Sequence, residues 1–208
     1  MPSRPPQAPL PARAPPPARD ALTPPARADA RRNHDAVIAA ALRLLSAEPE
    51  ATMREIADAS GLTRTTVYRH FPSREELLRA IFGVVGREAD AAALAATAGD
   101  PPLAQVAAAI AGSSVALGRR FRFLAGHDAL ADDAAQTAGD QAMERWLGIA
   151  RERGEVRDDM PVAWQVRIMR AIAVSAVETH LTGDATAAEA ERLLAATVVG
   201  ALAAPAGG

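Results

Sequence analysis

Arg64, Thr65, Thr66, Tyr68, Arg69 and His70 crowd into one short run of the stretch TMREIADASGLTRTTVYRHF, Thr52 to Phe71, and all of them can form hydrogen bonds. An Arg guanidinium presents a bidentate fork to a guanine edge, and a Thr side chain bonds a base or touches a thymine methyl. Tyr68, His70 and, a little further on, Arg74 suit phosphate oxygens. Such groups act together only if one rigid element projects them from one face, and the spacing supplies that element. Thr52 followed by Glu55 is a capping box, which starts a helix with Ile56 and Ala57 on its buried side. Its first amides, beside Arg54, offer a further phosphate contact. Ser60-Gly61 ends the helix, because Gly accepts the left-handed backbone of a sharp exit. Thr63 then caps a second short helix, Arg64 to His70. Val67 and Phe71 lie four apart and pack inward with Leu62, which leaves Arg64, Thr65, Tyr68 and Arg69 outside. Two short helices, a turn with Gly and a donor-rich outer face make a helix-turn-helix that can enter a major groove.

The run EIADASGLTRTTVYRHFPSREELLRAIF resembles the DNA-binding domain of the TetR family of bacterial transcriptional regulators. Glu-Ile-Ala, the turn Gly, Tyr-x-x-Phe and Ser-Arg-Glu-Glu-Leu-Leu sit at that family's spacing, and the likeness covers about residues 33–82. Arg74 stands where the family more often has Lys, which keeps the charge and adds donors. The resemblance implies DNA contacts from Arg54, Thr63, Arg64, Thr65, Thr66, Tyr68, His70 and Arg74, with Thr52 at the helix start; Arg69 is added here on its exposure. It also implies a dimer on a double-stranded operator, and a small-molecule effector in a C-terminal helical domain.

Other chemistries lack their parts. With no Lys there is no Walker Lys, Schiff base or Ser-Lys pair, and with no Cys there is no thiol nucleophile, disulfide or thiolate metal site. His127-Asp128 with Asp132-Asp133 is the one cluster suggestive of metal or acid–base work, and it reads more simply as acidic caps and solvated loop charge. His34, His70 and His180 share no ligand-like spacing. The expectation is therefore a protein that is not an enzyme, with no cofactor and no metal. No apolar run approaches the length that spans a bilayer and nothing resembles a secretory h-region, so no membrane partner is expected and the cytoplasm is the default location.

Along the chain, residues 1–28 hold ten of the sixteen prolines and four Arg against Asp20, a net of +3. This segment reads as a disordered Pro/Ala/Arg-rich leader. At its end Arg27, Arg31 and Arg32 either lie along phosphates or form a solvated basic helix start. Residues 29–82 are charge-neutral and read as the DNA-binding domain; residues 83–208 carry a net of −5 and read as an effector-binding and dimerisation domain. The whole chain carries −2, so any nucleic-acid footprint has to be a local patch.

The expected fold is all-α. A first helix from Asp29 or Asn33 to Ser46 buries Val37, Ala41, Leu44 and Leu45 and supplies the third wall of the DNA-binding unit. Pro72 breaks the chain, and Ser73 with Glu76 caps a fourth helix that runs to about Thr97 and joins the two domains. After Gly99-Asp100-Pro101-Pro102 another helix follows, with Gly118 separating it from a short segment, Arg119 to Leu124. A helix around Met143 and Trp146 comes next.

The two last helices carry more apolar surface than one chain of this size can cover. Ala171 to Val177 is apolar nearly all round, and the final helix, opened by Thr186 and Glu189, has an apolar stripe beside small residues. A four-helix interface between two copies resolves this, with Ile172, Ala173, Ala176, Val177, Leu194, Val198 and Ala201 as its expected members. The large soft or aromatic groups Phe123, His127, Met143, Trp146, Trp164 and Met169 are the candidates to line a pocket for an apolar or aromatic effector, each of them also suited to plain core packing. The alternative is a helical dimer acting through protein partners, or a DNA-binding regulator with no effector.

Overall fold

A computed structural model describes residues 24–125, 127 and 137–205. They form eight α-helices: α1 (Pro24–Ala47), α2 (Met53–Ser60), α3 (Arg64–His70), α4 (Arg74–Thr97), α5 (Leu103–Arg120), α6 (Ala138–Glu152), α7 (Val162–Leu181) and α8 (Ala187–Leu202), with a 3-10 turn, Arg122–Leu124, after α5. The fold is all-α; among the described residues the only β-type pairing is an isolated bridge between Val156 and Ala203. No described helix is long and apolar enough to cross a membrane.

Two apolar cores organise these helices. The first gathers Val37, Ala41 and Leu45 of α1, Ile56 and Ala57 of α2, Val67 and Phe71 around α3, and Leu77, Leu78 and Ile81 of α4. It also takes in Phe121, Phe123 and Leu124 from the end of α5 and the 3-10 turn, so the N-terminal half is closed by residues from the C-terminal half. The second core packs α5 against α8 with Leu103, Val106, Met143, Trp146, Leu147, Met169, Leu194, Val198 and Leu202.

Two boundaries differ from expectation. The first helix starts at Pro24, inside the segment, residues 1–28, read as a disordered leader. Proline is tolerated there, because the first helical N–H groups have no intrahelical partner to lose. Residues 1–23, the rest of that leader, lie outside the described residues, as do Asp128, Asp132 and Asp133. The second difference is Gly118, which does not end α5; the helix runs through it to Arg120. A Cβ at that position would lie 2.3 Å from Val177 Cγ1, so Gly118 is where α5 and α7 meet at closest approach.

Helix ends are mostly capped as the sequence indicates. Thr52–Glu55, Thr137–Asp140 and Thr186–Glu189 are complete capping boxes, and Ser73 caps α4 by accepting from the Glu76 N–H at 3.2 Å. The α5 start is different: it follows Pro102, and the Leu103 N–H donates to the Glu155 carboxylate, 3.1 Å away and distant in sequence.

The contact at Gly118 is open to test by a pair of glycine substitutions. Gly118→Ala should lower stability by about 1–3 kcal/mol through overpacking against Val177, a stiff β-branched side chain, and Gly118→Ala with Val177→Ala should recover most of it. Gly148→Ala, in an α6 position where an added Cβ meets nothing within 4 Å, should instead stabilise by about 0.5–1 kcal/mol. Urea denaturation of the four proteins measures both; equal effects at the two glycines would remove the close-approach account.

Candidate nucleic-acid interface

The first core sets α3 in place by burying its inward side completely: Val67 is fully buried and Phe71 nearly so. His34 of α1 adds a ring contact to Phe71, centroid to centroid 4.9 Å, and lies edge-on to His70 at 6.3 Å. The turn before α3 is fixed by Gly61 in the left-handed region, φ 72°, with its N–H directed at the Asp58 carbonyl. Ser60 tightens the same turn, its hydroxyl donating to Ala57 O at 2.7 Å and accepting from the Leu62 N–H at 3.2 Å. Arg64, Thr65, Tyr68 and Arg69 are left exposed on one outer surface, the donor-rich face that the spacing indicates.

Among the ten residues read as DNA contacts, the capping chemistry separates two groups. Thr52 donates both its N–H and its hydroxyl to Glu55 Oε2, at 2.7 and 2.8 Å, so its donors are occupied. Those donors hold the Glu55 carboxyl below the usual carboxylate range, the backbone amide most strongly, and place a fixed negative charge at the start of α2, where the helix dipole favours it. Thr63 accepts from the Thr66 N–H, and their two hydroxyls lie 2.9 Å apart, so this pair is mainly a cap. Arg54, Arg64, Thr65, Tyr68 and Arg69 remain with side chains turned to solvent. The Arg64 guanidinium lies 4.0 Å from Asp58 across the turn, an exposed and therefore weak pair that leaves its donors available.

His70 and Arg74 sit differently from a plain phosphate-contact reading. His70 is half-buried, and its Nε2 is enclosed without a hydrogen-bond partner among the described atoms. Burial, with lesser contributions from Arg69 and His34, lowers its pKa and favours the neutral ring. Arg74 turns back to donate to the carbonyls of Ala51 and Pro49, the latter at 2.6 Å, and so ties the first turn of α4 to the loop that launches α2. This clamp spans more than twenty residues and depends on carbonyl directions in the Pro49-Glu50-Ala51 turn, for which a sequence carries no sign.

The candidate effector residues do not converge. Phe123 belongs to the first core, whereas Met143, Trp146 and Met169 belong to the second. Trp146 is fully buried and donates from Nε1 to Pro101 O at 2.9 Å, which satisfies its polar edge within the core. Trp164 is 52% exposed on α7, and His127 Nδ1 sits 3.3 Å from the neighbouring Ala125 carbonyl. A cleft of about 270 Å³ opens elsewhere, between α4 and α5, lined by Glu88, Ala92, Ser113, Ala116, Leu117 and Arg120. The Glu88–Arg120 ion pair, 2.7 Å, joins the two helices there. Among the described residues no group of three His, Cys, Asp or Glu side chains could hold a metal.

The expected interface residues also fall on the inner side. Leu194 and Val198 are fully buried against α5 within the chain, Ala176 is nearly so, and Val177 packs on Gly118. Ile172, Ala173 and Ala201 are partly buried against the same core. The stripe of largest side chains on α8 therefore faces its own chain. The outer face of this helix pair carries Trp164, Ala171 and Val174 of α7 with Leu193, Ala196 and Gly200 of α8. Three of these are the large exposed hydrophobics Trp164, Val174 and Leu193, each about half exposed.

With that geometry in hand, comparison with known proteins gives a consistent answer. Residues 37–81, which hold all of α2 and α3, match the family model described as bacterial regulatory proteins, tetR family. The HTH-type transcriptional repressor LfrR of Mycolicibacterium smegmatis is 28% identical over 156 residues, covering 73% of this chain and 81% of that protein. The crystal structure of LfrR in complex with proflavine superposes with a TM-score of 0.57 at 24% identity, covering 81% of this chain and 94% of that one. A SmeT–triclosan complex gives 0.57 at 17% identity, with 83% and 92% covered. Residues 37–81 thus carry a helix-turn-helix of the type described for the tetR family of bacterial regulatory proteins, and the helical frame around it is the fold of these solved structures.

Proposed function

We propose that this protein is a cytoplasmic repressor that binds a palindromic operator as a dimer and leaves it when a small apolar or aromatic effector binds. On this reading residues 29–82 hold DNA and residues 83–208 hold the effector and the second subunit. The observation that carries it is the outer face of α3, where Arg64, Thr65, Tyr68 and Arg69 are exposed side by side while Val67 and Phe71 are locked in the core. That division of labour is what a recognition helix needs: a rigid back and a donor-bearing front. The similar LfrR is itself a repressor, which supports the sign of regulation.

The dimer is assigned to the outer face of α7 and α8. Trp164, Val174 and Leu193 leave a large apolar area uncovered, and Ala171, Ala196 and Gly200 between them let partner helices approach closely. The effector is assigned to the α4–α5 cleft, since α4 is the helix that carries the reading head. An aromatic molecule, like the proflavine held by LfrR or the triclosan held by SmeT, wedged beside the Glu88–Arg120 pair, would displace α4 relative to α5. Such a ligand shifts the balance only by its differential affinity for the two arrangements, and DNA weakens the ligand by the same factor.

Three outcomes are expected. Arg64→Ala should relax preference at one base pair and cost about 1–3 kcal/mol there, while Tyr68→Phe weakens all sites alike; titrations on an operator and its single-base variants distinguish the two, and equal losses for Arg64→Ala on every variant remove its reading role. Val174→Arg with Leu193→Arg, both at exposed positions, should leave a folded chain but raise the dimer dissociation constant at least about 100-fold, about 3 kcal/mol. Sedimentation of the wild type as a monomer at micromolar concentration defeats this assignment. Saturating proflavine should lower operator affinity about ten- to hundredfold, equivalent to about 1–3 kcal/mol of coupling, and Ala116→Phe, which fills the cleft, should keep DNA binding and abolish the response. A response undiminished in Ala116→Phe moves the effector elsewhere.

A further inference from the structure

The first turns of α1 lie before the segment that matches the family model, residues 37–81, and they carry a basic stripe whose two readings from sequence, phosphate contact or solvated helix start, the geometry separates. Arg27, Arg31 and His34 follow one another at i, i+4 and i+7, so they share one side of the helix. The direction of that side is fixed by His34, whose ring packs on Phe71 and lies beside His70 at the C-terminal end of α3. Ile38, one turn further along the same stripe, is buried in the first core. At 1.5 Å per residue, Arg31 sits about 4–5 Å and Arg27 about 10 Å past this contact, toward the N-terminus.

The charges on this stretch are sorted by side. Arg32 is taken by Asp29, and both lie on the opposite side of the helix. Arg31 is 87% exposed, its one ion pair among the described residues is with Asp35 at 4.0 Å, and Asp35 is itself 65% exposed. A pair so open to water contributes little and yields readily to a stronger anion. Arg27 is exposed and makes no ion pair among the described residues. Asp35 and His34 are the other titratable groups on this side of α1, and His70 of α3 lies beside His34, so two Arg against one Asp leave the stripe positive.

We infer that Arg27 and Arg31 contact DNA backbone phosphates outside the base pairs read by α3, lengthening the footprint of each half-site. This rests on the DNA-binding reading of α3 and adds a second contact line to it. With α3 in a major groove, its C-terminal end lies against the sugar–phosphate wall, and the α1 stripe continues from that end along the strand. The guanidinium groups neutralise phosphates without reading bases, so the contribution is independent of sequence and sensitive to salt.

The experiment is a salt titration of DNA binding. Wild type, Arg27→Gln, Arg31→Gln, the double variant and the double Arg→Lys variant are titrated with a mixed-sequence duplex and with an operator selected from random duplexes, at several KCl concentrations. Each Gln substitution should make the slope of log K against log[KCl] shallower by about 1, the double variant by about 2, and the Lys variant should restore it. Base preference on the operator should be unchanged in all of them. Trimming the operator's flanking base pairs should weaken the wild type and leave the double Gln variant unaffected. Unchanged slopes in folded variants that still bind DNA overturn the stripe's role alone. Absence of DNA binding by the wild type overturns the reading of α3 together with it.

Discussion

The arrangement depends on α4 being one continuous helix that belongs to two cores. Its first turns bury Leu77, Leu78 and Ile81 under the reading head, and its last turns bury Ala96 and pack Ala93 into the C-terminal core. Twenty-four residues of α-helix span about 36 Å, so the same rigid rod touches both ends of the problem. A packed core resists continuous deformation. The head therefore cannot tilt without either sliding α4 against α5 and α6 or breaking the first core.

What ties α4 at each end is polar and directional. At the DNA side Arg74 holds the loop before α2 through the carbonyls of Pro49 and Ala51. Midway, the Glu88–Arg120 pair holds α5, and Asp90 accepts from the Gly139 N–H at 3.3 Å, where α6 begins. Asp140, next in sequence, pairs with Arg170 of α7. The Asp140 carboxyl stays below its usual range although burial pushes it upward, because donors from Arg170 and Thr137 together outweigh that penalty. The chain of contacts thus runs from the loop before α2, through α4 and α6, to the helix whose outer face is assigned to the second subunit.

The head was legible because its decisive interactions are local. Thr52 with Glu55, Gly61 in its left-handed turn and Thr63 with Thr66 all act over three or four residues, and that range is what spacing encodes. The eight-helix layout was legible for the same reason, through caps and apolar periodicity. The direction of each apolar stripe was not. Leu194 and Val198 resemble interface residues as well as core residues, and only the position of α5 sends them inward. Trp146 and Met143 resemble pocket walls until Pro101 O and the neighbouring side chains are seen to fill the space around them. Burial is a property of the partner surface, and a stripe names no partner.

The same distinction explains why the reading surface is smaller than the donor count suggests. A hydroxyl that caps a helix has its geometry fixed by the amide it satisfies, and moving it to a phosphate would leave that amide unpaired, which costs about 1 kcal/mol or more. Thr52 and Thr63 are held in this way, the Thr66 hydroxyl lies 2.9 Å from that of Thr63, and Arg74 is held by carbonyls. The residues whose donors stay unclaimed are those with long or exposed side chains and no structural partner beyond a weak ion pair. Arg54, Arg64, Thr65, Tyr68 and Arg69 satisfy that condition on α2 and α3, and Arg27 and Arg31 satisfy it on α1. Rigid caps position the face, and the exposed side chains on it are the part that can be exchanged without unfolding the head.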